Sequence, residues 1–430
     1  MRAAFYTLGC KVNQYETQAL EDIFAADGFD IVEHSEPADV YIINSCTVTS
    51  TGDKKTRQIL HRFKRQNPTA LTVLTGCFPQ AFPEQAKAME EVNVITGAAN
   101  RTALLGLVKQ SLAAGGKRFV EITPHTRNEE FEALTIRRFS ERTRAFVKIQ
   151  DGCERYCSYC VIPYARGFVR SKKPADLLLE LDGLAKAGYK EVVLVGINLS
   201  TYGKELGLRL VDAVELACSV NGIERVRLGS IEPDLITDDD IARMAKQPKF
   251  CPQFHLALQS GCDATLDRMN RHYHTSDFRE LVQRIRRNFT NSSITTDIMV
   301  GFAGETEDEF AASVDFAKEI GFAKAHVFAY SVREGTRAAK FPNQLTNAVK
   351  EERSHRMIEA TDQTRESFLQ SQIGLVEDVL FESHVKDSLY TGYTPNYTPV
   401  QVLCSEDVRG TIRKVKIISS DGNFCQGELV

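Results

Sequence analysis

Over the first 112 residues, short apolar runs alternate with longer amphipathic stretches. AAFYTL (3–8) precedes Gly9-Cys10, VYIIN (40–44) precedes Ser45-Cys46, LTVLT (71–75) precedes Gly76-Cys77, and VNVIT (92–96) precedes Gly97. Segments of helical character follow, such as 14–26 and 53–66. Strand and helix in alternation imply a parallel sheet covered on both faces. Cys10, Cys46 and Cys77 are 36 and 31 residues apart, yet each lies just past the carboxyl end of an expected strand. That edge of an open α/β sheet is where ligands bind, so three thiols can converge on one rim.

From about 115 to 144 the pattern weakens into a polar connector (RNEEFEALTIRRFSERTR, 127–144). A second strand and helix series follows, with expected strands at 145–150, 191–196, 224–230, 254–258, 294–301 and 324–330 and helices such as 174–187 and 305–320. Six repeats are too few for an eight-fold barrel and suit a partial one, whose chemistry would again sit at the carboxyl ends of its strands. After a helical stretch at 347–372, residues 375–430 show short β-type runs (VEDVLFE, PVQVLC, TIRKVKIIS) between turn residues, which reads as a small all-β barrel. The expected class is therefore α/β: an amino-terminal flavodoxin-like parallel domain (1–112), a connector (113–138), a central partial (β/α)6 TIM-like barrel (139–370) and a carboxy-terminal β-barrel (371–430).

Composition fits several domains, since 430 residues with 43% apolar and 26% charged exceed the ~250–300 residues of a single core. The formal charge of −4 decides little about partners. No run approaches the ~18 apolar residues of a membrane span, and the first 20 residues lack a secretory h-region. A cytoplasmic protein without membrane association is expected. In that reducing compartment eleven cysteines argue against a disulfide framework and for metal or catalytic use of some of them.

The sharpest motif is Cys153-x3-Cys157-x2-Cys160, directly after the first strand of the second series. An extended chain covers at most ~3.6 Å per residue, so three thiolates within eight residues can wrap one small inorganic cluster. Zinc is the competing reading, but structural zinc wants four ligands and no nearby Cys or His supplies the fourth. An iron–sulfur cluster held by three cysteines leaves one iron free to chelate a small molecule.

This spacing at the head of a partial barrel resembles the radical S-adenosylmethionine superfamily, and the whole chain resembles its methylthiotransferases. The likeness rests on TLGCKVNQYET, INSCTVT and LTGCFPQ around the first three cysteines. It continues through VGINLSTYG, RLGSIEPD, LQSGCDATLDRMNR, DIMVGFAGETEDEF and HVFAYSVREGT in the barrel. GCKVNQYET and GYTPNY most resemble the bacterial branch acting on N6-threonylcarbamoyladenosine at tRNA position 37; siblings act on isopentenyladenosine in tRNA or on a ribosomal protein. Where the family commonly has proline, this chain has Ala303.

The resemblance implies two [4Fe-4S] clusters, one on Cys153, Cys157 and Cys160 and one on Cys10, Cys46 and Cys77, the carboxy-terminal segment being a TRAM barrel. One S-adenosylmethionine would methylate sulfur at the second site; another, cleaved at the first, would give the radical that removes the C2 hydrogen. Tyr159 is expected against the adenine of S-adenosylmethionine, and Gly196 is expected to let its methionine end approach the backbone. Asn198, Ser230, Glu232 and Gln259 are expected polar contacts at strand ends, with Arg268 and Arg271 as carboxylate partners. His61, in a basic helix, reads as a surface or core-edge residue, and Gly301 to Glu307 as a helix start capped by Glu305 or Thr306. Implied partners are the tRNA anticodon stem-loop and a low-potential electron donor such as flavodoxin or ferredoxin.

RNA contact would have to be local. Residues 53–65 carry six basic side chains against one acid, and 137–173 carry ten against three, beside both cysteine sites; such patches suit phosphates. Residues 371–430 are net acidic, five basic against eight acidic. Tyr390, Tyr393, Asn396 and Tyr397 are therefore the better candidates there, by stacking on unpaired bases.

Overall fold

The computed structural model describes residues 1–48, 50–136 and 143–430. Thr49 of INSCTVT and residues 137–142, with three of the ten basic residues of the second patch, lie outside the described residues. The first sheet has six parallel strands, β1 (Arg2–Thr7), β2 (Asp30–Val32), β3 (Val40–Ser45), β4 (Leu71–Gly76), β5 (Val94–Thr96) and β6 (Phe119–Glu121), ordered β2-β1-β3-β4-β5-β6. Tyr41, Ile43 and Leu74 pack with Leu60 and Phe63 on one face. Val40, Ile42 and Val73 pack with Leu20, Phe24 and Val108 on the other. The helix Lys11–Ala26 is shared, because its Val12, Tyr15 and Ala19 join the core of the next unit. Strand order reverses between β1 and β3, and Cys10 and Cys46 follow those two strands at that crevice.

The second unit opens with β7 (Arg144–Lys148), then β8 (Gln150–Asp151), which pairs with β9 (Arg170–Ser171) as a two-residue ribbon. Its parallel arc continues through β10 (Glu191–Val195), β11 (Arg225–Leu228), β12 (Ser230–Ile231), β13 (Gln253–Gln259), β14 (Ser293–Val300) and β15 (Lys324–Ala329). β11 and β12 are one strand interrupted at Gly229, so the six expected barrel strands form the arc β7, β10, β11/β12, β13, β14, β15. Among the described residues no pairing joins β7 to β15, and the arc is open between them. Thr306, not Glu305, caps the helix Glu307–Ile320, accepting from the Glu309 N–H at 3.2 Å. Glu305 instead bonds the Gly301 N–H and Arg353, an architectural role.

The last unit is a closed five-stranded barrel of β16 (Val376–Lys386), β17 (Leu389–Tyr393), β18 (Pro399–Leu403), β19 (Ile412–Ser420) and β20 (Cys425–Leu429). It covers the amino-terminal end of the arc. Arg225 and Arg227, near the start of β11, donate to the carbonyls of Asp378 (2.5 Å) and Pro395 (2.9 Å), and the Ser293 hydroxyl donates to that of Asn396 (2.5 Å).

Three expectations need correction. Phe119–Glu121 lies within the expected connector but forms the edge strand β6. Tyr390, Tyr393, Asn396 and Tyr397 do not form an exposed stacking surface. Tyr390 and Asn396 are buried, and Tyr397 stacks on Tyr393 at 4.4 Å beneath Arg144 and Arg227, closing the seam with the arc. In the second basic stretch, Lys148, Arg166, Arg170 and Lys172 are buried against carboxylates, and of the described cations there only Lys173 is exposed. Burial without a partner would be too costly for these groups, so their charge is spent inside the fold.

Candidate active site

The Cys153, Cys157 and Cys160 loop leaves the carboxyl end of the arc's first strand and is pinned at several points. The Cys153 N–H donates to the Gly167 carbonyl (3.0 Å), the Ser158 N–H to the Met269 carbonyl (2.9 Å), and the Ser158 hydroxyl to the Arg268 carbonyl (2.7 Å). Gln150 organises its base: its amide donates to the carbonyls of Asp151 and Gly152 (2.8 Å each) and its oxygen accepts from the Asn198 N–H (2.8 Å). A Cβ on Gly196 would stand 2.8 Å from that Gln150 oxygen, so the missing side chain makes room for Gln150.

Four expected site residues gather at the loop. Asn198 Nδ2 lies 3.9 Å from Cys153 Sγ. Arg271 Nη1 donates to Cys157 Sγ at 3.2 Å, while its other terminal nitrogen is bonded to the Glu232 carboxylate. Gln259, at φ +68 in the left-handed region, lines a cavity of about 210 Å³ with Tyr159, Cys160, Asp297, Met299 and Tyr330. Two expected residues are placed differently. Ser230 is exposed at the head of β12, and Arg268 is held by Glu309 at 2.9 and 2.5 Å. His61 is exposed, and Cys262 sits half-buried at the start of the helix Asp263–Arg268.

The other three thiols converge as their strand-end positions suggest. Asn13 Oδ1 lies 3.8 Å from Cys10 Sγ and 4.0 Å from Cys77 Sγ. Gly9 adopts φ +116, and a Cβ there would stand 2.8 Å from Cys46 Cβ, so glycine permits both the turn and the approach. Burial pushes the Cys46 thiol up to about 12, with Cys77 adding to it, and the Cys153 thiol up to about 11. Burial also raises Cys160, reinforced by Cys157. Among the described residues no three Cys, His, Asp or Glu side chains are gathered tightly enough for one metal ion. Buried polar atoms without partners, Asn198 Oδ1 beside Cys153 and Tyr330 OH in the cavity, fit a missing polar ligand.

Between the two triads lies a buried charge network that the sequence did not reveal. Arg166, fully buried, donates to Cys77 Sγ (3.1 Å), Asn13 Oδ1 (2.6 Å) and Glu16 (2.6 and 3.0 Å), and stands 3.4 Å from Asp151. Glu16 also takes Arg101 (2.8 Å) and Lys148 (2.7 Å), and Asp151 accepts from the Gly152 N–H (2.8 Å) beside Cys153. Burial would raise the Glu16 carboxyl, but Arg101, Arg166 and Lys148 outweigh it and hold the group at about 2. The only local signal was an arginine and a glutamate inside segments next to cysteines.

Residues 2–97 match the uncharacterized protein family UPF0004, and residues 147–317 match the radical SAM superfamily. In solved structures, the radical S-adenosylmethionine methyltransferase TsrM from Kitasatospora setae, with cobalamin and a [4Fe-4S] cluster bound, shares the fold. The TM-score is 0.57 at 13% identity, covering 76% of this chain and 72% of that one. Fold and site thus define a radical SAM enzyme, a class that uses S-adenosylmethionine and a [4Fe-4S] cluster. The threonylcarbamoyladenosine tRNA methylthiotransferase MtaB of Bacillus subtilis (strain 168) is 37% identical over 99% of this chain and 96% of its own. The tRNA-2-methylthio-N(6)-dimethylallyladenosine synthase of Caldicellulosiruptor saccharolyticus is 33% identical over 99% and 91%. The chain belongs to the tRNA methylthiotransferase family, in the threonylcarbamoyladenosine branch.

Proposed function

We propose that this enzyme converts N6-threonylcarbamoyladenosine at position 37 of tRNA into its 2-methylthio derivative. The observation that carries the reading is the pairing of two three-cysteine sites, at the carboxyl edges of two sheets, across one buried network centred on Arg166. Cys153, Cys157 and Cys160 would hold the [4Fe-4S] cluster that binds S-adenosylmethionine. Cys10, Cys46 and Cys77 would hold a second cluster, each triad leaving one iron without a protein ligand. When bound, these groups supply the radical and sulfur chemistry that side-chain acids and bases lack for an aromatic C–H.

The chain's own residues do the rest. Asn198 and Arg271, each directed to a thiol of the barrel loop, orient what binds there, and Glu232 fixes the Arg271 guanidinium. Tyr159 and Gln259 wall the cavity beside Cys160 and exclude water from it. Arg166 holds the Cys77 thiol and the barrel loop's Asp151 in one frame. The RNA enters as an anticodon stem-loop, a low-potential flavodoxin or ferredoxin supplies electrons, and the setting is cytoplasmic. Among the described residues no helix is long and apolar enough to cross a membrane. Nucleoside mass spectrometry of tRNA from a strain lacking this protein alone, compared with its parent in a background that has no second enzyme for N6-threonylcarbamoyladenosine, tests the reading. The 2-methylthio form should vanish and N6-threonylcarbamoyladenosine accumulate; loss of the dimethylallyl derivative instead would reassign the substrate.

A further inference from the structure

A second, larger cavity of about 480 Å³ occupies the arc's lumen where the arc is open, bounded by β7 and β15, the helix Lys11–Ala26 and the carboxy-terminal barrel. Its lining contains Lys11, Arg144, Arg227, Lys324 and Arg365 and no carboxylate. Arg144 and Arg227 are satisfied by Glu382 and Glu191. Among the described residues Lys11, Lys324 and Arg365 have no acidic side chain in ion-pair contact, Asp297 being the acid whose charge reaches Lys11, and burial together with Arg365 lowers the Lys324 pKa. The volume falls in the ~300–1,000 Å³ range of small-molecule sites.

The cavity also lies beside both cysteine sites. Lys11 directly follows Cys10. His255, in its wall, stands 3.3 Å from Asp297, which lines the smaller cavity with Tyr159 and Cys160. The threonylcarbamoyl arm is polar and ends in a carboxylate that these cations can pair with, whereas a dimethylallyl arm is hydrocarbon and offers them no anion.

Building on the function proposed above, we infer that this cavity receives the threonylcarbamoyl arm and that Lys11 and Lys324 pair with its carboxylate, selecting the substrate. The same cations could meet a backbone phosphate of the RNA, and the test separates the two sources. Binding of fluorescent anticodon stem-loops to the anaerobically reconstituted full chain is measured for four RNAs. Position 37 carries adenosine, N6-threonylcarbamoyladenosine, its neutral methyl ester, or dimethylallyladenosine.

The free acid should bind about tenfold tighter than the ester, the size of one charge-assisted hydrogen bond. In the Lys11→Met/Lys324→Met double variant that ratio should collapse to about one while affinity for the unmodified stem-loop persists, and Lys→Arg at both positions should restore it. Equal binding of acid and ester by the unaltered chain overturns the inference, as does a double variant that weakens all four RNAs alike, the mark of phosphate contact. Preference for the dimethylallyl RNA overturns the substrate reading itself. Should the double variant lose its cooperative melting transition, the acid-to-ester ratio of the unaltered chain decides.

Discussion

Replacing Arg166 by methionine isolates the contribution of the network between the two cysteine sites. The guanidinium is fully buried and makes three bonds of 2.6 to 3.0 Å to Glu16 and Asn13, one of 3.1 Å to Cys77, and a 3.4 Å approach to Asp151. Methionine fills a similar volume, so cavity formation contributes little. The loss is electrostatic. Glu16 keeps Arg101 and Lys148, and Asp151 keeps Lys148 and Arg170. The cost therefore falls at the lower end of the ~3–5 kcal/mol for breaking a buried pair, about 3 kcal/mol. At ~2–4 °C per kcal/mol for a unit of 150–250 residues, the melting midpoint should fall by roughly 6–12 °C. Circular dichroism melts of the anaerobically purified chain measure this, with iron and sulfide analysis alongside. Arg166→Lys keeps the charge but loses the fork and should recover only part of the stability. A methionine variant melting within about 2 °C of the parent would refute the account of the network as the joint between the two units.

Glu16 makes the network acid-sensitive: its carboxyl is held at about 2 in the fold against ~4.3 unfolded, so its contribution of about 3 kcal/mol is complete above the unfolded value and fades as pH falls towards 2. Urea titrations from pH 6 to 2.5 should show that loss, and Glu16→Gln should flatten it while lowering stability at pH 6. Gly9→Ala should cost about 1–3 kcal/mol, because φ +116 strains a side chain and its Cβ would stand 2.8 Å from Cys46; thermal melts and iron content should drop together. Arg227→Met, which frees the Pro395 carbonyl and part of Glu191, should loosen the carboxy-terminal barrel. Limited proteolysis after the helix Asn347–Ser371 should accelerate about tenfold.

Much of this fold was legible because strands such as β3, β4 and β10 are largely apolar runs, buried on both faces, ending in recognisable turns. β2 and β6 are three-residue sheet edges, too short and too exposed to leave a periodic signal. β17 and β20 were illegible for another reason. Their inward positions include Gly392 and Gly427, where a Cβ would collide with Leu380 or Val415, so small residues replace the expected apolar alternation.

The cysteine sites were readable because each thiol declares itself locally, at a strand end or within an eight-residue loop. The joint between them was not, since Arg166 finds Glu16 across 150 residues and nothing in either segment names the other. The same cause misled the charge reading: Lys148, Arg166, Arg170 and Lys172 look like an RNA-facing patch in sequence and are internal partners in space. Tyr393 and Tyr397 likewise have the composition of a base-stacking surface but are used at the seam between barrel and arc.

The most direct test of the central claim is mass spectrometry of nucleosides after the reconstituted chain, S-adenosylmethionine and a low-potential reductant act on tRNA carrying N6-threonylcarbamoyladenosine. The parent chain should form the 2-methylthio product, Cys153→Ala should form neither that product nor 5′-deoxyadenosine, and Cys10→Ala should release 5′-deoxyadenosine without inserting sulfur. A Cys10→Ala variant that still methylthiolates the base, or a parent chain that leaves it unchanged, would contradict the two-site account.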